Sequence, residues 1–189
     1  EPLISRLALR SMKQARYTAE NTGHFGLAAN YYTHFTSPIR RYPDLQIHRI
    51  IKENLHGRLG EKRLSHYGKL LPEAAVWTSS RERLAEEAER ETEKAKKVQY
   101  MERRIGEVFD GVISGISNYG FYVELPDTVE GMVHVSELDG DYYVFDEAHY
   151  ELVGERTRKR FKLGQPIRVQ VVAVDRYLKT IDFLPVREF

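Results

Sequence analysis

Residues 108–135 read VFDGVISGISNYGFYVELPDTVEGMVHV. Val108, Val112, Ile113, Phe121, Val123, Val133 and Val135 fall in short β-rich runs, and Gly111, Gly120 and Gly131 break them. Strand alternation puts Phe121 and Val123 on one side and Tyr122 on the other, so Phe121 reads as core and Tyr122 as surface. The same texture returns at Val169, Val171, Val172, Val174 and Ile181, with Gly140 and Gly164 as further breaks. Short strands at this spacing predict a five-stranded barrel of the OB type over residues 105–185. Between its third and fourth strands lies an insertion, roughly Asp139 to Lys162, with no clear periodicity of its own. It carries Tyr142, Tyr143, Phe145 and the basic run Arg156-Thr157-Arg158-Lys159-Arg160.

Ahead of the barrel the pattern is helical. Leu3, Leu7 and Ala15 recur at helical spacing over residues 3–20, and Gly23 ends that run. Ile47, Ile50, Ile51 and Leu55 define a second helix from Asp44, stopped by Gly57. Ser79-Ser80-Arg81-Glu82 matches a capping box, which predicts a third helix from Ser79 to about Arg104 along the stripe Leu84, Ala88, Ala95, Val98 and Met101. The fold class is therefore α+β: a helical segment, residues 1–104, followed by an all-β barrel.

Composition narrows the function. The 189 residues are 41% hydrophobic and 30% charged, the make-up of a chain that buries a core. No apolar run reaches the roughly 20 residues of a membrane helix, and Glu1-Pro2-Leu3-Ile4 lacks a signal peptide's layout, so a cytoplasmic location is expected. With no cysteine, disulfides, thiolate metal sites and cysteine nucleophiles drop out. The histidines are not spaced for zinc. Asp139-Gly140-Asp141 hints at a calcium loop, but Tyr143 and Tyr150 stand where it needs oxygen ligands. The net charge of +1 conceals a split: residues 1–104 hold 20 Lys and Arg against 13 Asp and Glu, the remainder 9 against 15. The basic half suits a polyanion.

Residues 34–49, HFTSPIRRYPDLQIHR, resemble the signature near the end of the catalytic domain in the ribonuclease II and R family of exoribonucleases. Arg10-Ser11-Met12, Gln14-Ala15, Gly23-His24-Phe25-Gly26-Leu27-Ala28 and Ala88-Glu89-Arg90-Glu91 are also similar to family sequence. From Gly106 onward the chain resembles the RNA-binding repeat first named from the ribosomal S-one protein. Asp141-Tyr142-Tyr143 and Gly154-Glu155-Arg156 point to the ribonuclease R branch. The resemblance implies the C-terminal part of a monomeric enzyme that hydrolyses single-stranded RNA from its 3′ end, releasing nucleoside 5′-monophosphates with Mg2+ as cofactor. Family members hold that metal with four clustered aspartates, whereas Asp44 is the lone aspartate of residues 1–104. The ligands are therefore expected outside this chain, and the chain alone is expected to be inactive. The alternative is a non-catalytic module that binds single-stranded RNA.

Arg40 and Arg41 lie between Pro38 and Pro43, an arrangement that predicts a stiff turn. A guanidinium held there suits a phosphate's oxygens, although both arginines could instead pair with carboxylates such as Asp44. The resemblance gives Arg40 the scissile phosphate as a catalytic residue and makes Arg41 an RNA-binding one. Glu89 has Ala85, Glu86, Thr92 and Glu93 beside it on its helix, none able to neutralise it. By resemblance it is a catalytic residue near the scissile end; otherwise it is a solvated carboxylate. In the barrel, Tyr119, Tyr122 and His134 map onto a base-stacking surface, and Asp175 and Lys179 onto polar contacts with the RNA backbone. Ordinary packing is the other reading of Tyr119. Because the barrel half is acidic, Lys159 and Arg160 of the insertion are expected to add phosphate attraction. His34 and His48 belong to the family string, and His48, among apolar neighbours, is expected to be structural.

Overall fold

The structure, a computed structural model, describes Ala8 and residues 11–186. Two compact units divide it, one of residues 13–89 and one built on residues 90–186.

In the first unit, α1 (Tyr42–Leu55) has Pro43 in its first turn, where a fixed φ suits the helix and a missing N–H is not needed. His56 caps its end, and Gly57 follows with φ of 66°, in the left-handed region. That is the predicted stop. The next helix, α2 (Glu61–Met101), begins well before the predicted Ser79. The Ser79 hydroxyl donates to the Ala75 carbonyl at 2.8 Å and accepts the Tyr17 N–H at 2.9 Å. A capping box requires unsatisfied backbone donors, and here a helical turn already precedes the motif. Arg63 joins α2 to α1 by donating to Glu53 at 2.9 and 2.5 Å and to the Tyr67 hydroxyl at 3.0 Å. Over residues 13–18 the predicted first helix is absent, while Leu3 and Leu7 lie outside the described residues. Tyr17 is drawn away by distant partners: its hydroxyl donates to Glu82 at 3.0 Å and lies 2.7 Å from His34 Nδ1.

In the second unit, β1 (Val108–Ser117), β2 (Gly120–Glu124) and β3 (Glu130–His134) precede three short strands, β4 (Tyr143–Asp146), β5 (Glu151–Gly154) and β6 (Arg160–Lys162). β7 (Pro166–Asp175) and β8 (Thr180–Pro185) follow. The five longer elements close into a barrel in the order β1-β2-β3-β8-β7, antiparallel except where β8 runs parallel to β3. This is the predicted OB-type barrel. Alternation decides what faces inward: Phe121, Val123, Val133, Val169, Val171, Ile181 and Phe183 are buried, while Tyr122, Thr180 and Asp182 face out. Gly131 leaves room for Phe183, whose ring would lie 2.6 Å from any Cβ there.

The insertion, which shows no period in sequence, forms its own antiparallel sheet, β4-β5-β6. Tyr143, Leu152 and Phe161 are buried and extend the barrel's core, the Phe161 ring lying 4.9 Å from that of Phe121. Val98 and Met101, from the last turns of α2, enter the same core.

Candidate nucleic-acid interface

The pairing of β2 with β3 sets Gly120 opposite His134 and Tyr122 opposite Met132. Paired residues share a side of the sheet, so Tyr122, Met132 and His134 stand together on the outer surface. Tyr122 keeps 40% of its surface exposed and Tyr119, in the β1–β2 turn, keeps 70%. Gly120 makes this arrangement possible. Its φ of 142° is accessible to glycine, and a Cβ would sit 2.0 Å from the Val133 carbonyl oxygen and 3.0 Å from His134 Cα. The turn carrying Tyr119 therefore lies against the end of β3, where the Tyr119 carbonyl accepts the Val135 N–H at 2.8 Å. His134 Nδ1 accepts the Ser136 N–H at 3.2 Å and lies 2.7 Å from the Ser136 hydroxyl. An accepting Nδ1 carries no proton, which leaves Nε2 as the donor of the neutral ring. The same outer face bears Glu124, Glu130 and Asp182, with Glu130 accepting the Ser114 hydroxyl at 2.5 Å. Rings set among carboxylates favour stacking on bases over attraction to phosphates.

The other residues expected in the barrel's site have partners of their own. Asp175 Oδ1 accepts the N–H groups of Tyr177 and Leu178 at 2.7 and 2.9 Å, which shapes the β7–β8 turn. Lys179, at a left-handed φ of 55°, forms an ion pair with Glu91 of α2, and this pair holds the Glu91 carboxyl below the usual carboxylate range. Arg176 grips both oxygens of Glu102. In the insertion, Asp141 accepts the Thr157 hydroxyl and N–H at 2.5 Å each and the Arg156 N–H at 3.0 Å. These donors, the Thr157 hydroxyl foremost, hold its carboxyl far below the usual range and fix the loop that leads to Lys159 and Arg160. Lys159 Nζ lies 5.1 Å from the centre of the Phe161 ring, and Arg160 pairs with Glu151 at 3.3 Å. Lys159 and Arg160 thus lie at the start of the insertion's last strand, Lys159 just before it and Arg160 its first residue, whereas Tyr119, Tyr122 and His134 cluster on the barrel. Sequence reasoning passed over Tyr177 and Leu178, a bulky pair in a turn bracketed by Asp175 and Lys179.

In the first unit the Ser37 carbonyl accepts the N–H groups of Arg40 and Arg41 at 3.3 and 3.0 Å, which confirms the stiff turn. Asp44, fully buried beneath it, accepts the Ser37 N–H at 2.8 Å and the Arg41 guanidinium at 2.8 and 3.3 Å. Burial pushes the Asp44 carboxyl up, but Ser37 and Arg41 outweigh it and hold it below its ordinary value. Arg41 is thus taken up by Asp44, the pairing its sequence position left open. Arg40 stays exposed, with no ion pair among the described residues. The His48 ring stacks on Phe35 with centroids 4.2 Å apart, and its Nε2 lies 2.8 Å from the Phe35 carbonyl oxygen, a structural placement. Glu89 is exposed on α2. Among the described residues, no three His, Asp or Glu side chains converge as a metal site requires.

Two family models match the chain: the RNB domain over residues 1–57 and the S1 RNA binding domain over residues 102–184. Ribonuclease R 1 of Lactococcus lactis is 50% identical over 183 residues, covering 97% of this chain and 22% of that protein. Ribonuclease R of Thermotoga maritima is 47% identical over 188 residues, 98% of this chain and 26% of that protein. The chain thus carries RNB and S1 domain sequence and is similar over nearly its whole length to proteins named ribonuclease R. It spans about a quarter of the length of these relatives. The apo form of Mycoplasma genitalium RNase R superposes with a TM-score of 0.89 at 26% identity, over 97% of this chain and 29% of that one. The same holds for that enzyme in complex with ribose methylated single-stranded RNA. Within the ribonuclease R framework, the RNB match takes in Arg40 and Arg41, and the S1 match takes in Tyr119, Tyr122, His134, Lys159, Arg160, Asp175 and Lys179. Glu89 lies between the two.

Proposed function

We propose that this chain is the C-terminal part of a monomeric, cytoplasmic 3′-to-5′ exoribonuclease that hydrolyses single-stranded RNA to nucleoside 5′-monophosphates. Residues 1–104 form the end of its RNB catalytic domain and residues 105–185 its S1 barrel. The observation that carries the reading is the exposed set Tyr119, Tyr122 and His134 on an outer face lined with carboxylates. Such a face holds bases of any sequence by stacking, as a single-strand guide must. Lys159 and Arg160 add phosphate attraction, and Asp175 and Lys179, the latter held by Glu91, brace the hairpin that flanks the face. Arg40, on a turn locked by Asp44, offers its planar donors to the scissile phosphate. Arg41 contributes through that turn's shape, and Glu89 tunes the leaving end. The described residues do not fit a Mg2+ site, and the ion's ligands belong outside this sequence.

Binding of a fluorescent single-stranded RNA to the 189-residue chain across a salt series tests this reading. Tyr119→Ala, Tyr122→Ala or His134→Ala each weakens binding by about 1–3 kcal/mol at a position that stacks a base, with the salt slope unchanged. Neutralising Lys159 and Arg160 together flattens the slope of log K against log salt by about 0.7 for each phosphate that no longer meets a cation. Well-folded aromatic variants that bind like the parent would remove the barrel as the RNA platform. Release of mononucleotides by this chain in Mg2+ would overturn the placing of the metal ligands elsewhere.

A further inference from the structure

Tyr177 is 97% exposed and its neighbour Leu178 70%. Turn tips favour Gly, Asn, Asp and Ser, so a tyrosine-leucine pair there serves no turn requirement. The tip is also braced. Asp175 accepts both N–H groups of the pair, Arg176 is clamped by Glu102, and Lys179 by Glu91. Both cations flanking the tip are neutralised, so what the hairpin presents outward is a ring on a pre-organised support rather than a charge.

Topology places that hairpin at one end of the strand that bears the aromatic face. β8 runs parallel to β3 with Asp182 beside Met132, so the start of β8, next to the hairpin, lies at the Glu130 end of β3. The Tyr119 turn lies at the His134 end, where Gly120 pairs with His134. Four residue steps of strand lead from the Gly120–His134 pair to the Glu124–Glu130 pair, about 13 Å at the usual rise. In barrels of this type the loops at these two places flank a bound oligonucleotide.

We infer that Tyr177 is a further base-stacking residue for single-stranded RNA, extending the face of Tyr119, His134 and Tyr122 to the opposite end of β3. The inference rests on the S1 barrel being the RNA platform. Its occupant is a nucleobase, because the tip flanks that strand with an exposed ring while the cations beside it are held by Glu102 and Glu91.

The test is fluorescence anisotropy of a labelled oligouridine about ten nucleotides long, within the usual span of one OB-type barrel, with the 189-residue chain. Tyr177→Ala weakens binding about 5- to 100-fold at every salt concentration, and Tyr177→Phe binds within about twofold of the parent. The salt slope stays the same in both. If Tyr177→Ala binds like the parent while Tyr122→Ala loses affinity, the tip is off the track and the barrel's role stands. If neither the parent nor any variant binds, both readings fall. A changed slope for Tyr177→Ala, in either direction, would show a disturbed Lys179–Glu91 pair instead of lost stacking and would overturn the inference. Should Tyr177→Ala fail to fold, photo-crosslinking of the parent chain to 4-thiouridine RNA decides the matter. A crosslink on Tyr177 supports stacking, and crosslinks confined to Tyr119, Tyr122 and His134 overturn it.

Discussion

Gly120→Ala puts the close approach beneath the aromatic face to a direct test. A φ of 142° is costly for alanine, on the order of 1–3 kcal/mol. The new methyl group would also sit 2.0 Å from the Val133 carbonyl oxygen, a backbone atom that cannot move without disturbing the β2–β3 pairing. Overpacking of this kind adds about 1–3 kcal/mol. The total of about 2–6 kcal/mol takes much of the roughly 5–15 kcal/mol that holds an ordinary domain folded. In a barrel of this size each kcal/mol lowers the Tm by about 4–8 °C, so a fall of at least about 8 °C is expected. Trp77, the single tryptophan, lies in the other unit and cannot report on the barrel. The melt is best followed through the amide resonances of Phe121, Val133 and Phe183. Gly140→Ala serves as the control, since its φ of 87° carries conformational strain but nothing lies within 4 Å of the added carbon. If Gly120→Ala melts within about 2 °C of the parent, the approach of the Tyr119 turn to β3 is wrong. The placing of Tyr119 beside His134 then goes with it.

Three further outcomes are expected. Glu91→Gln releases Lys179 from its ion pair, so the salt slope of RNA binding steepens by up to about 0.7, and an unchanged slope would show that Lys179 touches no phosphate. In a complete ribonuclease R carrying this segment, Arg40→Lys is nearly as damaging as Arg40→Ala in single-turnover hydrolysis, because the braced turn supplies fork geometry and not only charge; near-normal turnover with lysine refutes the positioning role. Burial, then the bond to Glu82, pushes the Tyr17 hydroxyl up to about 12. The folded state therefore favours the protonated phenol relative to an unfolded value near 10, and that stabilisation is present below about pH 10 and lost as pH rises towards 12. Urea midpoints of the parent should fall more steeply over that interval than those of Tyr17→Phe, and parallel profiles would sink the assignment.

The barrel was legible because β2 and β8 alternate cleanly and glycine marks the close contacts. Period-two alternation by itself separates Tyr122 from Phe121, whereas nothing in the strand pattern singles out Tyr119 or His134, whose expected stacking role came from the family resemblance. The insertion was not legible: Arg160-Phe161-Lys162 is too short to show alternation, and Phe161 finds its place only through contact with Phe121 and Tyr143. The first half of α2 was hidden by Pro72, which costs a helix one hydrogen bond and reads as a break, and by the imitation of a helix start at Ser79. Residues 13–18 were over-read because Tyr17 is governed by Ser79 and Glu82, 62 and 65 positions away. Tyr177 escaped notice for a like reason: its supports, Glu102 and Glu91, stand far off in the chain and reach the hairpin only once it is folded. The pairing of Arg41 with Asp44 was open in the sequence, and only the buried position of Asp44 decided it.

Val98 and Met101 give the barrel a stopper that its own strands do not encode. Both side chains are essentially sealed from solvent, at 2% and 0% exposure, yet both precede the S1 match at residue 102. Anyone grafting this barrel onto another protein at its first strand would transplant a vessel without its cork. The loss of a buried methionine alone costs about 2–5 kcal/mol when nothing fills the gap. The smallest exchangeable piece therefore starts inside α2, near Arg90, and any foreign partner joined to it must arrive as a helix in register with that stopper.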